Sequence, residues 1–426
     1  MILAIANHTF REAIRKKILH VLFGLGVFIV IISPFMPTTD EPDARIKMAF
    51  IVFFQVVALL CILGIIFLSA TALPYEIEDR TIYGILSKPV SRIKIILGKA
   101  VGFSFLSAFL LGILSLIQVF FVWQAASKTP EKYRGVLKAR NEFRASQFSV
   151  RGKSHHVREG IVWIEGGRAG VAVWNFLHLP VESGGTGHFE ANYKLKIESS
   201  SVDVDTIPLI VKVADAVSGE GKTNILSAKM DEPLTVEIAS EIIQKSGSVE
   251  ITAFPLRSED YIGVTPDDVK LFSVQNGFAV NYAKAIGTTF LKFLLMAVIA
   301  VTGSTYLSAP VSIVSALFIF LCGHILDFFK DFSLLLHRSD MHDHSLLSEF
   351  DKPGVFFEYL DFIIKKPLEA LSVILPDFKK FDSLKFLLKG VDIPLETVGF
   401  LLGYTAMYVS ICLFISFILF KRREIL

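Results

Sequence analysis

The long apolar segments of this chain most constrain what it can fold into. A bilayer core about 30 Å thick needs about 20 consecutive apolar residues per helix. Six segments meet or approach that length, and a mean hydropathy of +0.55 agrees with them. The six predicted spans are residues 18–37, 46–73, 93–123, 282–302, 311–329 and 397–420. We therefore predict an α-helical polytopic membrane protein with six transmembrane helices.

An N-terminal interfacial helix is predicted before the first span. Apolar residues recur on one helical face, while basic residues lie opposite that face or at its end. The apolar positions are Ile2, Ile5, Ala6, Phe10, Ala13 and Ile14. The alternative is an ordinary N-terminal helix. No small-residue cleavage site follows the first apolar segment, so we expect no cleavable signal peptide.

Lysine and arginine residues in the short flanks set the predicted orientation. They cluster in the N-terminal arm, in residues 74–99 and at the C-terminus, which lie on one side of a six-span chain. That side is predicted to be cytoplasmic, with both termini on it. Residues 125–278 and 330–395 are then extracytoplasmic. Residues 128–158 are also basic and oppose this assignment, but large translocated domains escape the charge rule.

The connection between the second and third spans carries an unusual density of charge. Residues 75–99 contain eight charged side chains, and burying them at mid-bilayer would cost on the order of 20 kcal/mol. The segment must therefore leave the membrane. Ile82, Ile85 and Leu86 form one apolar stripe of a short helix that Pro89 ends. The alternatives are a force-transmitting helix with a protein partner and a helix lying on lipid headgroups.

This region resembles the coupling-helix region of type-2 ABC exporter permeases, above all those associated with multi-copper enzyme maturation. The positions that carry the likeness are Glu78, Thr81, Leu86, Ser87, Pro89, Val90, Ser91, Arg92, Leu97, Gly98 and Lys99. The segment YLSAPVSIVSALFIF at residues 306–320 resembles the connection between spans four and five of the same family. The likeness covers residues 1–124 and 280–426. One position departs from the family pattern: Arg80 stands where that family usually has Gly. It would either add a salt bridge to the ATPase or indicate a divergent partner.

The resemblance implies a transport subunit in the inner membrane of a bacterium, without its own ATPase domain and therefore not an enzyme. An ABC ATPase subunit would bind the coupling helix, would itself bind ATP and Mg, and would drive export. A second permease chain would complete a homodimer or heterodimer. The predicted docking residues are Glu78, Arg80, Thr81, Ile82, Ile85, Leu86, Pro89 and Arg92. The sequence assigns no substrate, and a net charge of +2 implies no nucleic-acid partner.

Residues 125–278 differ in character from the rest of the chain. Short alternating runs such as YKLKIES and SVEITAF, separated by polar turns, predict strands. We expect a helical stalk over 125–150, followed by an all-β, jelly-roll-like sandwich of seven or eight strands. Its last strand, IGVTPDDVKLFSV, resembles that of carbohydrate-binding-like modules. A spacer or a dock for a periplasmic protein is favoured over a glycan site.

The predicted organisation has three parts. Residues 1–124 hold the interfacial helix, spans one to three and the coupling helix within 75–91. Residues 125–278 form the insert, and residues 279–426 hold spans four to six with external helices in 330–395. An alternative to the transporter is a membrane-anchored scaffold or mechanical transmitter whose sandwich recruits a periplasmic partner.

Two motifs resemble functional sites, but a structural interpretation is preferred for both. Residues 216–223, AVSGEGKT, fit a loose P-loop pattern, but the alternating strands around them favour a hairpin turn. Residues 337–344, HRSDMHDH, supply His337, His342 and His344 as weak metal-ligand candidates. Their spacing matches no established site, so a solvated loop is the preferred interpretation.

Overall fold

The structure is a computed structural model, and its described residues form two compact units. It describes residues 1–36, 43–81, 91–152, 155–158, 161–167, 170–179, 189–193, 195–199, 206–229, 234–238, 247–338 and 375–422. The first unit contains Met1–Val136, Asn281–Lys389 and Ile393–Leu426. The second contains Leu137–Val280 and Gly390–Asp392.

The first unit is helical. Its helices are α1 (Ile2–Arg15), α2 (Lys17–Ile32), α3 (Ala44–Glu78), α4 (Arg92–Lys128), α5 (Phe278–Ser304), α6 (Ala309–Arg338), α7 (Leu384–Lys389) and α8 (Leu395–Arg422). Helix α3 includes a π-helical stretch, Val52–Val57, and Pro74 lies inside its last part. Leu384–Lys389 lies within residues 330–395, where external helices were expected, but the side of the membrane that it faces stays a prediction, and residues 339–374 lie outside the described part of the chain.

Apolar helices of membrane-spanning length confirm that this is a multi-pass membrane protein. Within the described residues, five helical segments are long and apolar enough to cross a bilayer, namely α2 with the 3₁₀ turn that continues it (Lys17–Phe35), α3, α4, α5 and α8. The predicted span at 311–329 falls within α6, of which the described apolar part, Ala309–Ile325, is shorter. Five spans therefore have the required length, and the full count of six stays a prediction.

The apolar face predicted for the N-terminal helix is buried or partly buried in the structure. Ala6 and Ala13 are buried, whereas Arg11 and Arg15 on the other face are exposed. Thr9 also lies in the buried face, where its hydroxyl donates a hydrogen bond to the carbonyl of Ile5 at 3.0 Å. This hydrogen bond within the helix gives the hydroxyl a partner, so Thr9 can lie in an otherwise apolar face. The position of α1 at a membrane interface remains a prediction.

A buried polar network ties α3, α4 and α5 together. The Tyr282 hydroxyl on α5 donates to Oε1 of Gln118 on α4, at 2.6 Å. Nε2 of Gln118 donates to the carbonyl of Ala49 on α3, at 3.1 Å. Because polar groups inside a membrane protein need internal partners, this network fixes the relative rotation of the three helices.

The second unit is built from antiparallel strands. They are β1 (Ala139–Arg144), β2 (Gln147–Gly152), β3 (His155–Arg158), β4 (Ile161–Glu165), β5 (Gly170–Phe176), β6 (Phe189–Tyr193), β7 (Lys196–Ser199), β8 (Thr206–Asp215), β9 (Gly221–Lys229), β10 (Leu234–Ile238), β11 (Val249–Pro255), β12 (Asp260–Val264) and β13 (Val269–Asn276). They form sheet A in the order β1-β13-β6-β10, sheet B in the order β2-β5-β11-β8-β9 and sheet C in the order β3-β4-β12-β7.

One core joins the three sheets. Trp174 on β5, Tyr193 on β6 and Ile262 on β12 are fully buried in the same apolar cluster. The Trp174 indole N–H donates to the carbonyl of Thr265 at 3.1 Å, so the largest core side chain has its polar atom satisfied. Burial raises the pKa of the Tyr193 hydroxyl. The insert is thus rich in β-sheet, as predicted; its jelly-roll class remains an expectation.

The helical stalk predicted over 125–150 is wrong from residue 139 onwards. Helix α4 ends at Lys128, 3₁₀-helical turns follow at Glu131–Leu137, and residues 139–144 and 147–152 form β1 and β2. The charges that suggested an exposed helix instead form ion pairs between neighbouring strands. Nζ of Lys270 on β13 lies 2.6 Å from Oε1 of Glu142 on β1.

The strand count was also underestimated. The described residues contain thirteen strands rather than seven or eight. Several of them, such as β3 and β7, have only four residues. Four residues contain too little alternation of apolar and polar side chains for such a strand to be recognised in the sequence.

Candidate functional site

The predicted docking residues lie around the connection between α3 and α4. Glu78 is the last residue of α3, and Arg80 and Thr81 follow it with exposed side chains. Arg92 begins α4 on the other side of the connection. Ile82, Ile85, Leu86 and Pro89 fall in residues 82–90, outside the described residues, so the coupling helix itself stays a prediction.

Arg80 has a backbone conformation that favours glycine. Its φ is +56°, in the left-handed region that favours Gly. The residue immediately follows the C-cap of α3, and its N–H donates to the carbonyl of Ile77 at 3.2 Å. Glycine is the preferred residue where a helix ends in this way. Arg80 therefore adopts, at a cost in strain, a backbone conformation that glycine adopts freely.

A buried ion pair joins the two helices that flank the connection. Nζ of Lys99 on α4 lies 2.6 Å from Oε1 of Glu76 on α3. The two side chains are 1% and 9% exposed, respectively. Within the described part of the chain, Oε2 of Glu76 is buried without a hydrogen-bond partner. Breaking such a pair leaves an uncompensated buried charge, so the pair resists separation of α3 from α4.

The Glu76–Lys99 pair is a contact that the sequence interpretation did not include. All eight charges in residues 75–99 are predicted to lie outside the membrane, and that position stays a prediction. Two of the eight, Glu76 and Lys99, lie inside helices and form an ion pair with each other. The sequence does show two opposite charges, one on each side of a short connection. These charges predict an ion pair only if the two helices lie side by side, which the sequence alone does not establish.

Arg92 ties the start of α4 to the end of α8. Its Nη1 donates to the carbonyls of Phe420 at 2.6 Å and Lys421 at 3.1 Å. The guanidinium also lies 5.6 Å from the Phe420 ring centroid. A cation at the carboxyl end of a helix interacts favourably with its dipole and with its unpaired carbonyls. Ser91, predicted to cap α4, is at the N-cap position but makes no side-chain capping hydrogen bond.

Helix α1 approaches the first turns of α4 very closely. A Cβ atom on Gly98 would lie 2.6 Å from Cβ of Ile5, and one on Gly102 would lie 2.8 Å from the carbonyl oxygen of Ala6. Both distances are too short for any side chain. The two glycines therefore allow backbone contact between the helices. The beginning of α4 is thus held by α1, α3 and α8 together.

A cavity of about 620 Å³ opens between α5, α6 and α8. It is lined mainly by apolar side chains, among them Ile299 and Met407. Two of its hydroxyls are already used within the chain. Thr302 donates to the carbonyl of Val298 at 2.8 Å, and Tyr408 donates to that of Leu375 at 3.3 Å. The lining therefore suits hydrocarbon better than a polar solute.

The remaining sequence candidates are placed as follows. Residues 216–223 form the β8–β9 hairpin turn and the start of β9, as predicted. In that turn the Asp215 N–H donates to the carbonyl of Glu220 at 2.9 Å, and Gly219 has a φ of +70°. Of the three weak metal-ligand candidates, the structure describes only the backbone of His337, which lies in α6. His342 and His344 lie outside the described residues. Within the described residues, no group of three His, Cys, Asp or Glu side chains is arranged to hold a metal ion.

Comparison with solved structures finds carbohydrate-binding modules at low similarity. TmCBM61 in complex with β-1,4-galactotriose is 19% identical, with 30% of this chain and 90% of that chain covered and a TM-score of 0.21. The CBM22-1–GH10 modules of Clostridium thermocellum endo-1,4-β-D-xylanase 10B, complexed with xylohexaose, are 12% identical, with 33% of this chain and 28% of that chain covered and a TM-score of 0.21. The CBM22-1 xylan-binding domain of Paenibacillus barcinonensis Xyn10C is 8% identical, with 33% of this chain and 92% of that chain covered and a TM-score of 0.19.

Comparison with protein families gives a match in the first part of the chain. No curated protein matches the chain. Residues 3–137, which include α1 to α4 and the connection between α3 and α4, match the family model described as ABC-2 family transporter protein. The match confirms the resemblance to type-2 ABC permeases over residues 3–137, which are similar to the membrane domain that this family model describes.

Proposed function

We propose that this protein is the permease subunit of an ABC transporter and couples ATP hydrolysis by a separate ATPase subunit to export. The family match at residues 3–137 supports the permease assignment. The Glu76–Lys99 pair supports the coupling mechanism, because it joins the helices on both sides of the connection that would bind the ATPase. This chain would contribute no catalytic group. ATP and Mg would bind to the ATPase.

In the proposed mechanism the ATPase presses on residues 82–90 as it closes on ATP. The displacement passes to α3 and α4 as one body, since the buried ion pair holds them together. Arg92 passes it on to α8 through the Phe420 and Lys421 carbonyls. The helices tilt and open an outward route. A connection that was free at either end would absorb the displacement instead.

A second permease chain would complete the transporter. Helix α8 has few buried side chains in the single chain, namely Leu401, Thr405, Ser416 and Phe420. Large apolar side chains such as Phe400 and Phe414 are exposed on it. Lipid and a second permease chain would cover these faces. The chain would lie in the inner membrane of a bacterium, with both termini in the cytoplasm.

Replacing the predicted docking stripe tests the proposed coupling. We expect Ile85→Asp combined with Leu86→Asp to leave membrane insertion unchanged and to abolish stimulation of the ATPase in reconstituted vesicles. Val217→Asp is the matched control, because it places the same carboxylate on a side chain that is 79% exposed in the insert. A cysteine at position 85 should react only from the cytoplasmic face. Full stimulation in the double variant, or labelling from the outer face, would contradict the proposal.

A second role is favoured by one observation, the independent apolar core of the insert. A rigid β unit joined to α4 and α5 would allow ATP use to drive mechanical work outside the cytoplasm, or would recruit a periplasmic partner. Deletion of residues 139–276 separates the two roles. Export that persists without the insert would favour a simple transporter, whereas ATPase stimulation without export would favour the mechanical role.

A further inference from the structure

The outer face of sheet C carries a row of side chains at one register. The strand pairing places Trp163 on β4 opposite Gly263 on β12, and Gly263 opposite Lys196 on β7. Side chains alternate between the two faces of a strand. Because the neighbouring Ile164 and Ile262 are fully buried in the core, Trp163 and Lys196 point away from the core.

A second row lies beside the first. Glu165 on β4 pairs with Tyr261 on β12, which pairs with Glu198 on β7. These three residues also alternate with buried core positions and so share the outer face. Trp163 and Tyr261 are both partly exposed and occupy diagonal positions. Diagonal neighbours on adjacent antiparallel strands lie about 7–8 Å apart.

Gly263, in the first row, leaves room for the side chains on either side of it. A Cβ atom at this position would lie 3.2 Å from Cζ2 of the Trp163 indole, 2.9 Å from Cγ2 of Ile161 and 3.3 Å from Cβ of Lys196. Glycine thus lets the indole lie close to the β12 backbone, where a larger residue would displace it. We call the six residues of the two rows the Trp163 platform: Trp163, Glu165, Lys196, Glu198, Tyr261 and Gly263.

We propose that the Trp163 platform binds an uncharged oligosaccharide. The C–H groups of a sugar ring carry partial positive charge and pack favourably on the negative face of an aromatic ring. Glu165 and Glu198 accept hydrogen bonds from hydroxyl groups, and the ammonium group of Lys196 donates to them. Two aromatic positions at this spacing suit two sugar rings of one chain. The two carboxylates disfavour polyanionic glycans.

The test uses the full-length protein in phosphatidylcholine nanodiscs. The probes are cellohexaose, laminarihexaose, maltohexaose and mannohexaose, each titrated by calorimetry and by tryptophan fluorescence. The chain has only three tryptophans, Trp123, Trp163 and Trp174, so a change at the platform is visible in the emission. We expect saturable binding of at least one hexasaccharide with a shift in emission.

Two variants assign the binding to the platform. Trp163→Ala should weaken binding at least tenfold, whereas Trp123→Ala, which removes an exposed indole from α4, should leave it unchanged. Gly263→Val should also weaken binding, with circular dichroism and the protection of β12 amides confirming the fold. The proposal is overturned if none of the four hexasaccharides binds, if Trp163→Ala binds as the parent does, or if the face instead captures a protein in a Trp163-dependent manner. None of these readouts depends on an ATPase, so failure here leaves the proposed function standing.

Discussion

Two groups of charged side chains, one in the helical unit and one in the β-rich insert, differ in how far water reaches them. In the helical unit, Lys99 and Glu76 form one isolated pair, with Lys99 only 1% exposed. In the insert, Glu190 accepts from both Lys138 at 2.8 Å and Arg140 at 3.0 Å, and Lys138 is 44% exposed. The first pair is shielded from water, whereas the second cluster is partly solvated.

The difference concerns what each arrangement can transmit. A charge pair removed from water cannot be broken without a large penalty, so it couples the positions of two helices. A partly solvated cluster loses little when one partner leaves, because water and ions replace it. The pair beside the connection is therefore suited to carrying displacement. We expect the cluster in the insert to respond to pH instead, because two cations lower the pKa of the Glu190 carboxylate.

The largest expected effect comes from breaking the buried pair on one side. Lys99→Met should lower the free energy of unfolding by about 3–5 kcal/mol, because Glu76 is then left buried without its counter-ion. The double variant Glu76→Gln with Lys99→Met should regain most of that loss. Thermal unfolding in detergent, followed by tryptophan emission, measures both. A Lys99→Met protein as stable as the parent would show that the pair does not hold α3 to α4.

Next in size is the contact between α1 and α4. Gly102→Ala places a methyl group 2.8 Å from both the Ala6 carbonyl oxygen and Cβ of Thr9, and such overpacking costs about 1–3 kcal/mol. Gly112→Ala in the same helix is the matched control, since a Cβ there has no neighbour within 4 Å. The same unfolding measurement compares them. Equal stabilities would show that α1 yields to the added group and does not brace the connection.

The membrane helices could be predicted from local sequence, whereas the strand pairing of the insert and the Glu76–Lys99 ion pair could not. A membrane-spanning helix needs about 20 consecutive apolar residues, so the apolar segments of α2 to α5 and α8 can be recognised from local composition. The apolar face of α1 follows equally from its periodicity. The Glu76–Lys99 pair depends on which helices are neighbours, and the Trp163 platform depends on the register of three strands. Neither relation is local in the chain. The stalk was predicted wrongly because cross-strand ion pairs and an exposed helix have similar charge composition.

A smaller effect is expected at the end of α3. Arg80→Gly should stabilise the protein by about 1 kcal/mol, since it removes the strain of a left-handed non-glycine residue. Arg80→Ala loses the same charge and keeps the strain, so it should bring no gain. Comparing the two in unfolding and in ATPase stimulation separates backbone from charge. If both variants weaken stimulation equally, the Arg80 charge contacts the ATPase; a destabilised Arg80→Gly would contradict the strain argument.

The smallest effect is the response of the insert to acid. Burial alone would raise the pKa of Glu190, but hydrogen bonds and charges from Lys138 and Arg140 outweigh it and hold the pKa below the usual 4.5. The stabilisation by this carboxylate is therefore complete above its unfolded-state pKa and is lost as the pH falls through the lower folded-state value.

Amide protection of β1 and β6, corrected for the intrinsic pH dependence of exchange, should decline below about pH 4.5 in the parent. Glu190→Gln should show less of this decline, whereas Glu250→Gln on β11, whose carboxylate lies 3.7 Å from Arg151, should retain it. An identical decline in Glu190→Gln and the parent would place the acid response of these strands in another group. The buried Glu76–Lys99 pair would then be the better-supported half of the comparison, because its expected effect does not depend on titration.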